Sequence, residues 1–271
     1  MVRSLWTAAT GMRAEQTNVD TIANNIANVN TTGYKTEVNE FKSLLYQTIQ
    51  TKTTSASGDT KPVGAQVGLG VRNAAISSVF TDGALLASES ETAFALSGRG
   101  FFAIQGEDGN TYYTRNGNFG WAMNSDGGIM LTTSDGLPVL DSTGKAISFS
   151  SDYDAGSITV TSDGTFCYPD EDNNPQSLGI TFGIYQFNNP NGLEKNDSGL
   201  WSQSAASGAP INEATSTNVT KTKVSQGYLE GSNVQIVDEM VNLITAQRAY
   251  ELNSKAITAS DEMLQQANNL R

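Results

Sequence analysis

Apolar residues return every seven positions at both ends of the chain. Near the start, Leu5, Met12, Val19 and Ile26 form one row; Ala8, Ile22 and Val29 form a second, with Glu15 in its gap. The rows lie three positions apart, so a helix brings them onto one face as an a/d-type seam. This predicts one helix over the first thirty residues, roughly 40 Å long. Ser4 can cap its start, and Gly33 stands where a helix commonly ends. The last forty residues repeat the plan. Ser232 and Gln235 suggest a capping box. Behind it Ile236, Leu243, Tyr250, Ile257 and Leu264 recur at seven-residue spacing, flanked by Val237, Met240, Ile244 and Leu252. Asp238, Asn242, Arg248 and Lys255 take the outward positions, on a helix of roughly 50 Å.

Between these ends the period shortens to that of β-structure. Residues 100–105 read as a strand, and Asp108-Gly109-Asn110 turns into a second one, a hairpin signal. Asp126-Gly127-Gly128, Asp135-Gly136, Ser142-Thr143-Gly144 and Ser162-Asp163-Gly164 mark further turns between short apolar runs. Such spacing predicts a barrel-like or sandwich β domain. Polar stretches at 48–64 and 202–222 read as extended or loosely structured. The expected class is α+β, in three parts. Residues 1–35 and 234–271 form a helical coiled coil, 36–70 and 216–233 a linking segment, and 71–215 the central β domain.

Eight or so apolar side chains per helix gain about 1.5–3 kcal/mol each on full burial. Ordering a helix costs about 1–2 kcal/mol per residue in backbone entropy. A lone pair of such helices therefore roughly breaks even, and neighbouring subunits must supply the remaining burial.

Composition narrows the chemistry. The net charge of −12 disfavours nucleic acid and anionic membranes as partners. The chain has no histidine, which removes Ser-His-Asp and Cys-His nucleophile pairs and histidine metal sites. Its one cysteine, Cys167, permits no intrachain disulfide and reads as a strand residue. Gly98-Arg99-Gly100-Phe101-Phe102-Ala103 matches a dinucleotide fingerprint in letters, yet a strand rather than a helix follows. Asp170, Asp172 and Asn174 imitate the start of a calcium loop, but Pro175 stands in the glycine position and Thr181 in the glutamate position. No catalytic, metal or cofactor residue is assigned. No stretch near the N-terminus has the apolar core of a secretory signal, so no cleaved signal peptide is expected. A carbohydrate-binding or hydrolytic β domain with helical tails is the reading from another class. Trp6, Trp121 and Trp201 are too scattered along the sequence to favour it.

Asn24, Asn25, Asn28 and Asn30 fall within seven positions, although asparagine is a poor residue for a helix interior. Such amides fit hydrogen bonding to neighbouring subunits or the lining of a wet channel. The run Ala23-Asn24-Asn25-Ile26-Ala27-Asn28-Val29-Asn30-Thr31-Thr32-Gly33-Tyr34-Lys35 resembles the signature of flagellar basal-body rod and hook proteins. So do the segments at 96–102, 113–119, 226–234 and 240–264, while 140–220 matches weakly. Arg3-Ser4-Leu5-Trp6 and Thr10-Gly11-Met12 are most similar to the distal-rod branch, with proximal rod and hook as alternatives.

The resemblance implies a non-enzymatic subunit whose terminal helices pair as a coiled coil in the inner layer of a helical homopolymer. It implies proximal rod proteins and the hook protein as partners, ring proteins as a bushing, and delivery by the flagellar export apparatus into the periplasmic space. The tube would act as a drive shaft from motor to hook, with no cofactor. The residues assigned to the assembly interface are Leu5, Met12, Val19, Ile22, Asn24, Asn25, Ile26, Asn28 and Val29 from the first helix. Ile236, Met240, Leu243, Tyr250, Ile257 and Leu264 are assigned from the last.

Overall fold

The computed structural model describes residues 2–50, 64–124, 127–151, 153–170 and 174–269. Residues 51–63 of the first polar stretch, Asp126 of one expected turn and Asp172 of the calcium-loop imitation lie outside the described residues. The chain divides into two compact units. One comprises Met1–Ala27, Glu37–Ser78 and Gln235–Arg271; the other comprises Asn28–Thr36 and Val79–Val234.

The first unit holds both long helices, α1 (Val2–Ala27) and α2 (Ile236–Asn269), about 39 and 51 Å long. α1 stops sooner than its periodicity predicts. The Asn28 carbonyl accepts the Thr31 N–H at 3.1 Å, and the Asn28 side-chain oxygen accepts the Thr31 hydroxyl at 3.1 Å, turning the chain out of the helix. Ser4 is inside α1 rather than at its cap, its hydroxyl 3.2 Å from that of Ser260. The capping box of α2 does not form either. The Gln235 carbonyl accepts the Glu239 N–H at 3.0 Å, which makes Gln235 the cap residue, while the Ser232 hydroxyl accepts from Val234 at 3.3 Å. Strands β1 (Glu37–Ser43) and β4 (Val71–Ser78) pair antiparallel with one irregularity between Glu40 and Phe41, and both pack on α1. Strands β2 (Tyr46–Gln50) and β3 (Ala65–Gly68) continue as a second antiparallel pair.

The second unit is built from short antiparallel strands. β5 (Leu85–Ala87) pairs with Tyr228–Glu230, and β6 (Phe94–Ser97) with Lys223–Gln226. β7 (Phe101–Gln105) and β8 (Thr111–Thr114) make the expected hairpin, its turn closed by Gly109 at φ +77°. That hairpin is the centre of a six-stranded sheet with Trp201–Ser202 and Glu194–Lys195 on one side, Ile184–Gln186 and Ile211–Asn212 on the other. The edge strands are two residues long and pair on one side only, so the sheet stays open. Among the described residues no barrel closes, contrary to the barrel-like expectation. The core is aromatic: Phe182 lies 5.0 Å from Phe94, 5.2 Å from Phe102 and 4.7 Å from Phe166 by ring centroids, tilted or edge-on. Cys167 is buried beside Phe166, in strand Thr165–Pro169.

The stretch at 202–222 is more ordered than its composition predicts. The buried Glu213 carboxylate accepts from the Gln186 amide and from the Thr222 N–H and hydroxyl, all at 2.7 Å. A buried carboxylate with three donors is satisfied without a counter-charge.

Candidate assembly surface

The two helices run antiparallel, and small residues set their spacing. Ser4 meets Ser260, and a Cβ at Gly11 would lie only 2.9 Å from the Asn253 amide nitrogen. As α1 advances seven residues, α2 retreats seven. Continuing in that step leads to Ala246 and Glu239, both buried. The most deeply covered row of α2 is thus Glu239, Ala246, Asn253 and Ser260, a row the apolar pattern missed because small and polar residues carry little hydropathy. Stepping by seven from Ala246 would have exposed it. On the expected row Leu243, Ile257 and Leu264 are half-buried and Tyr250 is 44% exposed. Tyr250 and Val19 line a cleft of about 410 Å³ with Gln16, Gln247 and Glu251. On α1, Ile22 is buried, whereas Leu5, Met12, Val19 and Ile26 are half-buried.

A second apolar face of α2 stands open. Ile236, Val237, Met240, Val241, Ile244, Leu252 and Met263 are exposed, Val237 at 73%. Leu45, at 82%, Tyr46, Ile49 and Val67 are exposed on or beside β2 and β3, as is Trp6 near the start of α1. Of the exposed large apolar side chains, all but Val79, Leu85, Leu86, Met123 and Tyr228 belong to the first unit. Among the described residues no helix is long and apolar enough to cross a membrane, and no group of three acidic or cysteine side chains could hold a metal.

The asparagines of α1 have separate tasks. Asn25, 1% exposed, donates from its amide to the Glu37 carbonyl at 2.8 Å and accepts the Glu37 N–H at 2.9 Å. Its side chain acts as one more strand partner for the start of β1, which satisfies two part-buried backbone groups. Asn24 is exposed and donates to the Glu37 carboxylate at 3.2 Å. Asn28 and Val29 are half-buried in the second unit, where Asn28 forms the turn after α1.

The residues that follow α1 and precede α2 are joined within the second unit by a buried charged cluster. The Lys35 ammonium donates to Glu230 Oε1 and to the Thr81 carbonyl, both at 2.6 Å. Glu230 also accepts the Gly83 N–H at 3.0 Å, and Arg115 Nη1 lies 3.6 Å from Glu230 Oε2. Arg115 donates through Nη2 to the Gly98 carbonyl at 2.6 Å and to Asp82 at 3.2 Å. Lys35, Arg115 and Glu230 are each at most 2% exposed, while the Asp82 side chain is half-exposed. Burial, joined by the Arg115 charge, holds the Lys35 ammonium below its ordinary 10.5, against the pull of Glu230. Around the cluster the Gly33 N–H donates to the Glu230 carbonyl at 2.8 Å. The Asn233 side-chain oxygen accepts the Thr36 N–H at 2.7 Å and its hydroxyl at 2.8 Å. Gly33 holds φ +71°, and a Cβ there would lie 2.6 Å from the Asn116 nitrogen, so only glycine fits.

Three family models match the chain. The flagella basal body rod protein model matches residues 5–35, the flagellar hook protein FlgE/F/G D1 domain 95–168, and the flagellar basal body rod FlgEFG protein C-terminal 225–270. Lys35, Arg115 and Glu230 come one from each matched stretch. The flagellar basal-body rod protein FlgG of Borreliella burgdorferi is 44% identical, covering 100% of this chain and 99% of the relative. That of Agrobacterium fabrum is 43% identical over 97% of each. The chain belongs to the FlgG family of flagellar basal-body rod proteins. The flagellar hook-basal body complex protein FlhP of Bacillus subtilis is also similar, at 33% identity over the full length of both. These full-length alignments include the 140–220 region, which carries little of the short-motif resemblance.

Proposed function

We propose that this chain is a structural subunit of the distal rod, polymerising through its terminal helices into a tube that carries torque from motor to hook. The observation that carries this reading is the concentration of exposed large apolar side chains, among the described residues, in the unit containing both chain ends. Monomeric proteins rarely leave such surface uncovered. About half of each of the seven apolar residues on the open face of α2 remains to be buried, worth roughly 5–10 kcal/mol in all. Association itself costs about 4–15 kcal/mol, so one contact is marginal and a lattice of several contacts per subunit is not.

In this reading the helix pair is a coiled coil in the inner wall of the tube, and the interface assigned from sequence loses Ile22 and Asn25, which are buried within the subunit, and gains Val237, Val241 and Ile244. Residues 1–35 with 234–271 form the wall, 36–70 with 216–233 link, and 71–215 form a sandwich-like outer domain. Proximal rod proteins and the hook protein bind its ends. Ring proteins surround it as a bushing in the periplasmic space, after delivery by the flagellar export apparatus.

Ile244→Asp tests the mechanism, because Ile244 is exposed in the single chain and its replacement should leave the monomer folded. A carboxylate buried there at every subunit costs several kcal/mol per contact. Tubes visible by electron microscopy, and motility, should both be lost. Asn242→Asp carries the same charge onto a neighbouring polar position and should be much milder. Normal tubes from Ile244→Asp would overturn the reading.

A further inference from the structure

We propose that Glu230 is the centre of an electrostatic latch that ties segment 28–36, which follows α1, to segment 228–234, which precedes α2, so that the two are released together. Polar ties join these segments through Glu230 and its near neighbour Asn233. They are Lys35 to the Glu230 carboxylate, Gly33 to the Glu230 carbonyl, and Thr36 to the Asn233 amide. Two fully buried cations, Lys35 and Arg115, share this one buried carboxylate, and Asp82, the further anion paired with Arg115 among the described residues, is half-exposed.

The latch is also under-bonded. Arg115 Nε and Nη1 and Glu230 Oε2 are buried without a hydrogen-bond partner among the described residues. A buried ion pair contributes little net stability relative to apolar packing, but removing one partner strands the other and is strongly destabilising. Neutralising Glu230 therefore leaves two adjacent buried cations. Arg115 keeps the Gly98 carbonyl and Asp82, whereas Lys35 keeps one carbonyl and can regain water by swinging segment 28–36 outward. The aromatic core around Phe182 takes no part in this cluster and stays closed.

Hydrogen exchange read by mass spectrometry on the full-length monomer tests the latch. In Glu230→Gln, exchange in 28–36 and in 228–234 should rise together by about tenfold or more, with β7 unchanged. Loosening of one segment alone, of neither, or of β7 as well would overturn the proposal. Should Glu230→Gln fail to fold, Asp82→Asn decides by the same criterion at a smaller factor. The double variant Lys35→Met/Glu230→Gln removes one of the stranded cations and should recover part of the lost protection. If Glu230 merely fills space, the second substitution adds to the damage and protection falls further.

Discussion

The second unit buries most of its large residues within its own chain, packing Phe94, Phe102 and Phe166 against Phe182 in tilted or edge-on contacts. The first unit does the reverse. Its helices touch through Ser4, Gly11, Ala246, Asn253 and Ser260, and its largest apolar side chains stand outside. Small residues let two helices approach closely at little cost in surface, which frees the bulky ones for another contact. One half of the molecule thus buries its core within its own chain, and the other, in the proposed reading, is finished by neighbours. The difference teaches where damage should show: core changes in the second unit as lost folding, surface changes in the first as lost assembly.

The sharpest way to break that contrast is Phe182→Ala. Truncating a buried aromatic at the centre of four ring contacts should cost about 3–5 kcal/mol, read as a fall in the denaturation midpoint of the second unit. A midpoint close to the parent's would mean that this core is not what holds the unit together. Asn25→Ala should act more locally. Removing both hydrogen bonds to the part-buried Glu37 backbone should cost about 1–3 kcal/mol. Exchange at the start of β1 should quicken while the second unit keeps its midpoint, and equal loosening of both would erase the distinction.

The smallest effect concerns Lys35, which faces Arg115, Glu230 and Asp82. Its folded-state pKa lies below the ordinary 10.5. Between the two values the unfolded chain binds more protons, so this residue's contribution to stability rises with pH in that window. Lys35→Met should flatten the rise, measured as the difference between parent and variant denaturation midpoints at neutral pH and near 10.5. Tyr113, pushed up to about 12 by burial, lowers stability as pH climbs above 10.0, but both proteins carry it and it cancels. A rise that survives the substitution would point to another group.

Much of this was legible in the sequence where a side chain's own hydropathy or turn chemistry decides the outcome. The seven-residue rows located both helices, and Asp108-Gly109-Asn110 located the hairpin. The helix ends were less legible, because Asn28 and Ser232 act through hydrogen bonds that depend on the path of the flanking chain. The row Glu239, Ala246, Asn253 and Ser260 is silent to hydropathy. Its burial follows from close helix approach, which composition does not report. Nor does anything local mark Lys35 and Glu230 as partners across 195 positions, since lysine and glutamate are ordinary surface residues until burial makes them otherwise. The order at 202–222 depends on Glu213 meeting Gln186 and Thr222, and the polar letters there look the same whether tied or loose.

The lone Cys167 gives the molecule a built-in clock. Its thiol is buried in the second unit, and the first unit has none. A thiol reagent therefore modifies the chain only as fast as that strand opens, with the same side chain serving as signal in subunit and filament alike. Labelling that slows no further when subunits join would mean that polymerisation leaves the breathing of the β unit untouched. Labelling that slows would measure how far contacts made elsewhere stiffen it.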